Sequence, residues 1–162
     1  MWGRKSDVTS YVGLSFVLAS SGALAWEVNC KYDDWKEVTV CEEVRRTEGN
    51  WWFKISTLDD GKMAFAWTNS SERFKDDEYL IRIDDNEIIN LKEVGVVLAR
   101  GPAIMAVVPE STERKLIRQM KEGQIIEARF QAQWGWKEVE YSLDGFAGAW
   151  EEYEKEGMVP WE

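Results

Sequence analysis

The side chains in this chain that could do chemistry are few in kind. Thirty acidic residues, ten tryptophans and one pair of cysteines stand out, and histidine is absent. Without histidine the usual general base near neutral pH is missing, as is the commonest transition-metal ligand. Ser-His-Asp and Cys-His nucleophilic sites are excluded by the same absence. What remains is carboxylate chemistry, aromatic stacking and a disulfide.

Carboxylates could act as a hydrolytic pair, which needs two carboxyl groups roughly 5 to 9 Å apart across a cleft. No motif in the sequence identifies such a pair. Two acidic clusters, Asp76-Asp77-Glu78 and Asp84-Asp85-Asn86-Glu87, invite a calcium reading, because calcium takes six to eight oxygens. Neither fits the D-x-[DN]-x-[DN]-G pattern of a calcium loop, and both read as solvated turns. No cofactor and no metal are expected.

Tryptophans either fill a core or, exposed, stack on sugars and partner proteins. Trp51 and Trp52 are adjacent in a segment with strand character, so their rings must point to opposite faces. Trp134 and Trp136 flank Gly135 at a predicted turn, where exposure is easy. With Trp67 these form the candidate ligand-binding set: Trp51, Trp52, Trp67, Trp134 and Trp136.

Cys30 and Cys41 follow a segment that looks like an export leader. Arg4 and Lys5 precede an apolar run over residues 11–25, which closes on Ala23-Leu24-Ala25. A basic start, an apolar middle and an A-x-A end are the anatomy of a secretory signal peptide. At about 15 residues the run is short for a membrane span, which needs ~20. Cleavage after Ala25 is expected, and no later apolar stretch is long enough to cross a bilayer. An even cysteine count behind such a leader points to a Cys30–Cys41 disulfide. Closing a loop of this size contributes about 3 kcal/mol by the chain-entropy estimate.

Alternation of apolar and polar residues marks strands over 26–30 and 36–44. Residues 45–50 read as a polar loop. Strands at 51–57 and 62–67 flank Asp59-Asp60-Gly61, a strong hairpin signal because glycine accepts positive φ. Residues 69–78 read as a surface loop, and strands follow at 78–83, 88–91 and 94–99. The almost wholly apolar 103–108 suits a central strand buried on both faces. Pro109 opens a helix near 110–122, with acids in its first turn and Gly123 as its stop. Strands at 124–133 and 136–141 precede a short amphipathic helix near 143–153, which Ser142 or Asp144 could cap. The fold class is therefore mainly β, a single β-sandwich-like or partly closed barrel domain over 26–153, with a tail at 154–162.

The net charge of −10 argues against nucleic acid and anionic membrane as partners, since both would repel the chain. One order of features resembles a known family. Trp26-Glu-Val-Asn-Cys30 is followed by Cys41, Lys121-Glu-Gly123 and the closing Ser142-Leu-Asp-Gly-Phe-Ala-Gly-Ala149. This arrangement is similar to that of the invasion-associated locus B family of small exported bacterial proteins. Members often carry a second cysteine pair before the helix, where this chain has Val107-Val108-Pro109. Exported accessory proteins of type VI secretion have a similar aromatic and Gly-Phe ending. The resemblance implies an exported β-sandwich-like protein linked to the envelope or to host interaction, with no established enzymatic activity.

The reading that emerges is a periplasmic or extracellular, non-enzymatic protein that binds another protein. The alternatives are a carbohydrate-binding module using exposed tryptophans and a carboxylate-dependent hydrolase. No nucleic-acid partner is expected, and no stable membrane insertion once the leader is removed.

Overall fold

Strand signals dominate the chain, and they pair into two antiparallel sheets. The computed structural model describes residues 25–35 and 37–156. The first sheet has six strands in the order β1 (Glu27–Asp33), β2 (Val38–Glu48), β3 (Trp51–Thr57), β4 (Met63–Asn69), β8 (Ala103–Val107), β7 (Val96–Arg100). The second has four, in the order β10 (Gly135–Ser142), β9 (Ile125–Ala132), β5 (Phe74–Ile83), β6 (Ile89–Asn90). The helices are α1 (Leu91–Val94), α2 (Glu110–Glu122) and α3 (Phe146–Glu156). The sheets face one another as a sandwich and do not close into a barrel. The leader expected over residues 1–25 lies, apart from Ala25, outside the described residues. No helix among the described residues is long and apolar enough to cross a membrane.

The hairpin between β3 and β4 forms where Asp-Gly demands it. Gly61 has φ of 82°, its N–H donates to the Leu58 carbonyl at 2.9 Å, and Leu58 N–H donates to the Lys62 carbonyl at 2.7 Å. In β4, residues Met63 to Trp67 are buried without interruption. β4 is therefore the strand covered on both faces. The sequence had placed that role on 103–108, but β8 lies one strand from the sheet edge and alternates in burial. Its apolar run is continuous, yet only one face meets the core.

Three further segments differ from the sequence reading. Residues 45–48, read as loop, continue β2. They look polar, but Arg46 points inward and is buried. β5 begins at Phe74 inside the expected 69–78 loop. Its register against β9 breaks between Phe74 and Tyr79, which lets the polar stretch between them bulge outward. At the C-terminal end, α3 continues to Glu156, so residues 154–156 are helical rather than tail.

The core is an aromatic stack between the sheets. Phe53 stacks on Trp67 with centroids 4.3 Å apart, Trp67 meets Tyr141 at 5.0 Å, and Phe130 meets Phe74 at 5.2 Å. α3 closes one end with Phe146, Trp150 and Tyr153, all fully buried. Rings of this size bury about 150 to 250 Å² each, which is why a chain this rich in tryptophan can close a dense core.

Cys30 and Cys41 are register partners across β1 and β2. Their sulfurs lie 1.97 Å apart, and neither cysteine is free. Where α2 ends, Gly123 is required by space rather than by backbone angle. A Cβ there would lie 2.6 Å from Ile83 Cγ2 and 2.7 Å from the Gln119 carbonyl.

Candidate binding surface

The family-like motifs meet each other inside the molecule. Trp26 donates from Nε1 to the Ser142 carbonyl at 3.0 Å, and Arg46 donates from Nη1 to the same oxygen at 3.0 Å. The Trp26 ring sits edge-on to Phe146 at 4.9 Å. Gly145, with φ of 83°, turns the chain so that Phe146 N–H can donate to the Leu143 carbonyl at 2.9 Å. The opening Trp26 and the closing Ser142-Leu-Asp-Gly-Phe are thus two halves of one seam, and their role is structural. Ser142 and Asp144, expected as caps of α3, lie ahead of its start at Phe146; the Ser142 hydroxyl accepts from Asp144 N–H at 3.1 Å and holds the turn before the helix.

The acids fall into distinct roles. The Asp84 carboxylate accepts from Gln124 N–H at 3.0 Å and from Ile125 N–H at 2.9 Å, fixing the start of β9 beside Gly123. Glu113, in the first turn of α2, is buried and accepts from Met63 N–H at 2.9 Å. Burial raises its pKa above the ordinary glutamate value, against the opposing pull of that hydrogen bond. It faces the end of the β3–β4 hairpin. Burial likewise raises the Tyr79, Tyr141 and Tyr153 hydroxyls above their ordinary value, Tyr79 well above it. Among the described residues, no cluster of three or more metal-ligating side chains occurs.

The five candidate tryptophans do not form one platform. Trp67 is fully buried, which removes it from any ligand-binding role. Trp51 is half-buried and turned inward, 5.6 Å from Phe130 and 5.9 Å from Phe74. Trp52, its neighbour, lies on the outer face of the six-stranded sheet, with the Arg45 guanidinium 5.9 Å from its ring. Trp136 lies on the outer face of the four-stranded sheet, and Trp134 is 81% exposed in the turn before it. Trp52 and Trp136 therefore face opposite ways.

On the four-stranded sheet, Trp136 belongs to a built surface. Arg129 holds its guanidinium 4.6 Å from the Trp136 ring centroid and pairs with Glu138 at 3.5 Å. Beside them a groove of about 380 Å³ runs over Leu80 and Ile88 and is flanked by Arg82, Glu127 and Glu140. Arg82 grips Glu127 at 2.6 and 2.7 Å. Glu140 stands opposite Glu127 in the β9–β10 register, an arrangement of like charges that weakens a sheet. The sequence reading singled out the tryptophans and missed these charged partners. Their signal is the period-two placement of Glu127 and Arg129, and of Trp136, Glu138 and Glu140, on outward positions.

The sandwich has a solved counterpart. The crystal structure of invasion associated protein B from Bartonella henselae superposes with a TM-score of 0.56 at 14% sequence identity, covering 82% of this chain and 93% of that one. At that identity the likeness is one of fold. No protein-family model and no curated protein matches the chain.

Proposed function

We propose that this is an exported, non-enzymatic binding protein of the envelope or host-interaction type, and that it holds another protein on the outer face of its four-stranded sheet. The observation that carries this reading is the Trp136–Arg129 pair beside a groove with an apolar floor and charged flanks. Tryptophan and arginine are the residues most enriched where proteins bind one another, with apolar centres and polar rims around them. The Cys30–Cys41 bond agrees with an oxidising compartment. The fold counterpart, itself an invasion associated protein, supports the same setting and the distant family resemblance.

Carbohydrate binding is the second reading, and Trp134 favours it as a bare ring at the tip of the β9–β10 hairpin. The test replaces Trp136 with a photo-crosslinking residue in the native host and uses Trp52 as the control position. A defined protein adduct from position 136, lost on Arg129→Glu and absent from position 52, supports the proposal. Adducts of equal yield from both positions would sink it. Glycan-array binding abolished by Trp134→Ala would transfer the surface to the second reading. Export is checked separately by intact mass, which should begin at Trp26 with both thiols blocked until reduction.

A further inference from the structure

The outer face of the six-stranded sheet carries a hollow of about 390 Å³ lined in part by Trp52. Small-ligand sites run from about 300 to 1,000 Å³, so this one is at the small end of the range. Trp52 is 49% exposed. Thr68 is its register partner on β4 and stands beside it on the same face. Asn50 and Ser70, each two residues from one of these, line the same hollow. The side chains of Asn50, Thr68 and Ser70 make no hydrogen bond among the described residues. The charged groups of the hollow are held in place. Glu43, whose side chain is only 14% exposed, pairs with Arg45 at 3.5 Å and with Lys54 at 3.4 Å. Arg45 also pairs with Glu27 at 3.3 Å and sits 5.9 Å from the Trp52 ring centroid.

A protein partner asks for an apolar centre inside a polar rim. Here one indole ring is the main apolar surface, and hydrogen-bonding groups of every kind stand around it. Asn50, Thr68 and Ser70 can donate and accept, Arg45 and Lys54 donate, and Glu43 accepts. That mixture matches a sugar, whose C–H face lies on an aromatic ring while its hydroxyls both donate and accept. We propose that the Trp52 hollow is a binding subsite for a gluco-configured pyranose, a neutral sugar ring whose hydroxyls are all equatorial. Equatorial hydroxyls leave both faces of the sugar as C–H surface and radiate in its plane, toward the side chains that surround Trp52. An axial hydroxyl spoils one of those faces. The subsite lies on the other sheet from Trp136 and does not depend on a protein binding there. The ion network is already in place before the sugar arrives, which lowers the ordering cost of binding. A single ring in a shallow site still binds weakly, with Kd on the order of 1 to 10 mM.

Titration of the disulfide-bonded protein with cellotetraose, followed in proton–nitrogen correlation spectra, tests this. The Trp52 indole N–H signal, identified as the one missing from Trp52→Phe, should shift saturably in the millimolar range. Trp52→Ala should lose the saturable shifts at the Thr68 and Ser70 amides. Thr68→Val removes one hydrogen-bonding hydroxyl and should weaken binding about two- to ten-fold, with unchanged thermal unfolding. Trp134→Ala should change nothing. Mannotetraose, with an axial hydroxyl on every ring, should bind more weakly, and equal affinity would overturn the gluco assignment. A Trp52 signal that never saturates overturns the proposal. So does binding that survives Trp52→Ala and disappears with Trp134→Ala, which would place the sugar at the hairpin tip instead.

Discussion

The two ends of the six-stranded sheet are built from different residues and finished in opposite ways. At the β1 end every device of closure is present. A disulfide ties β1 to β2, α3 packs against both strands, and the Trp26 indole and the Arg46 guanidinium share the Ser142 carbonyl. At the β7 end, Val96 and Leu98 stand in solvent, and the strand is packed by β5 and α1, its near neighbours along the chain. The deciding difference is how far along the chain the covering segment comes from and how firmly it is tied down.

Substitutions should divide along this line. The largest effect belongs to the closed end: Phe146→Ala removes a buried ring against Trp26 and should cost about 3 to 5 kcal/mol of stability by denaturant titration. Replacing both cysteines by serine should cost about 3 kcal/mol, mostly through the greater freedom of the unfolded chain. Gly123→Ala should cost about 1 to 3 kcal/mol, because its Cβ meets backbone and a packed side chain. At the β7 end, Leu98→Lys should stay within about 0.5 kcal/mol of wild type. A loss there as large as that of Phe146→Ala would erase the distinction.

Glu113 sharpens the comparison through pH. Its pKa is raised in the folded state, so folding favours the protonated acid. That contribution is fully present below the unfolded glutamate value and is lost as pH rises through the raised folded one. Glu113→Gln should therefore be more stable than wild type at neutral pH, with the difference shrinking as pH falls toward about 4. A difference in unfolding midpoint that stays constant across this range would mean that burial does not raise the carboxyl's pKa in the folded state.

Much of the scaffold was legible from local pattern. Asp59-Asp60-Gly61 specified its hairpin, because the chain needs a positive φ there and glycine supplies it. The helix after Pro109 was legible in its apolar spacing and its glycine stop. The segments that misled did so because their partners are far away. Arg45-Arg46-Thr47-Glu48 has the composition of a loop, and the Ser142 carbonyl, the Tyr141 ring and the Glu48 carboxylate together make a buried arginine tolerable in β2. Residues 75–78 look like a loop and form a bulged, solvent-facing part of β5. The run at 103–108 is apolar enough for a sheet centre, yet strand order, which local pattern does not carry, placed it beside the edge. For the surface, alternation separated Trp51 from Trp52 correctly. It could not show that Trp52 and Trp136 would end on opposite sheets, or that Arg129 would lie over Trp136.

The shared Ser142 carbonyl has a consequence for the order of events in the cell. Trp26 and its acceptor are separated by 116 positions. A polypeptide emerging with its amino terminus first presents its opening strand long before Ser142 and Phe146 exist to receive it. That strand lacks its indole acceptor and its aromatic neighbour until the final segment has been synthesised. Contacts this distant in sequence also slow folding. The final turn and helix therefore act as a latch, which closes on the opening strand only after Ser142 and Phe146 have been made.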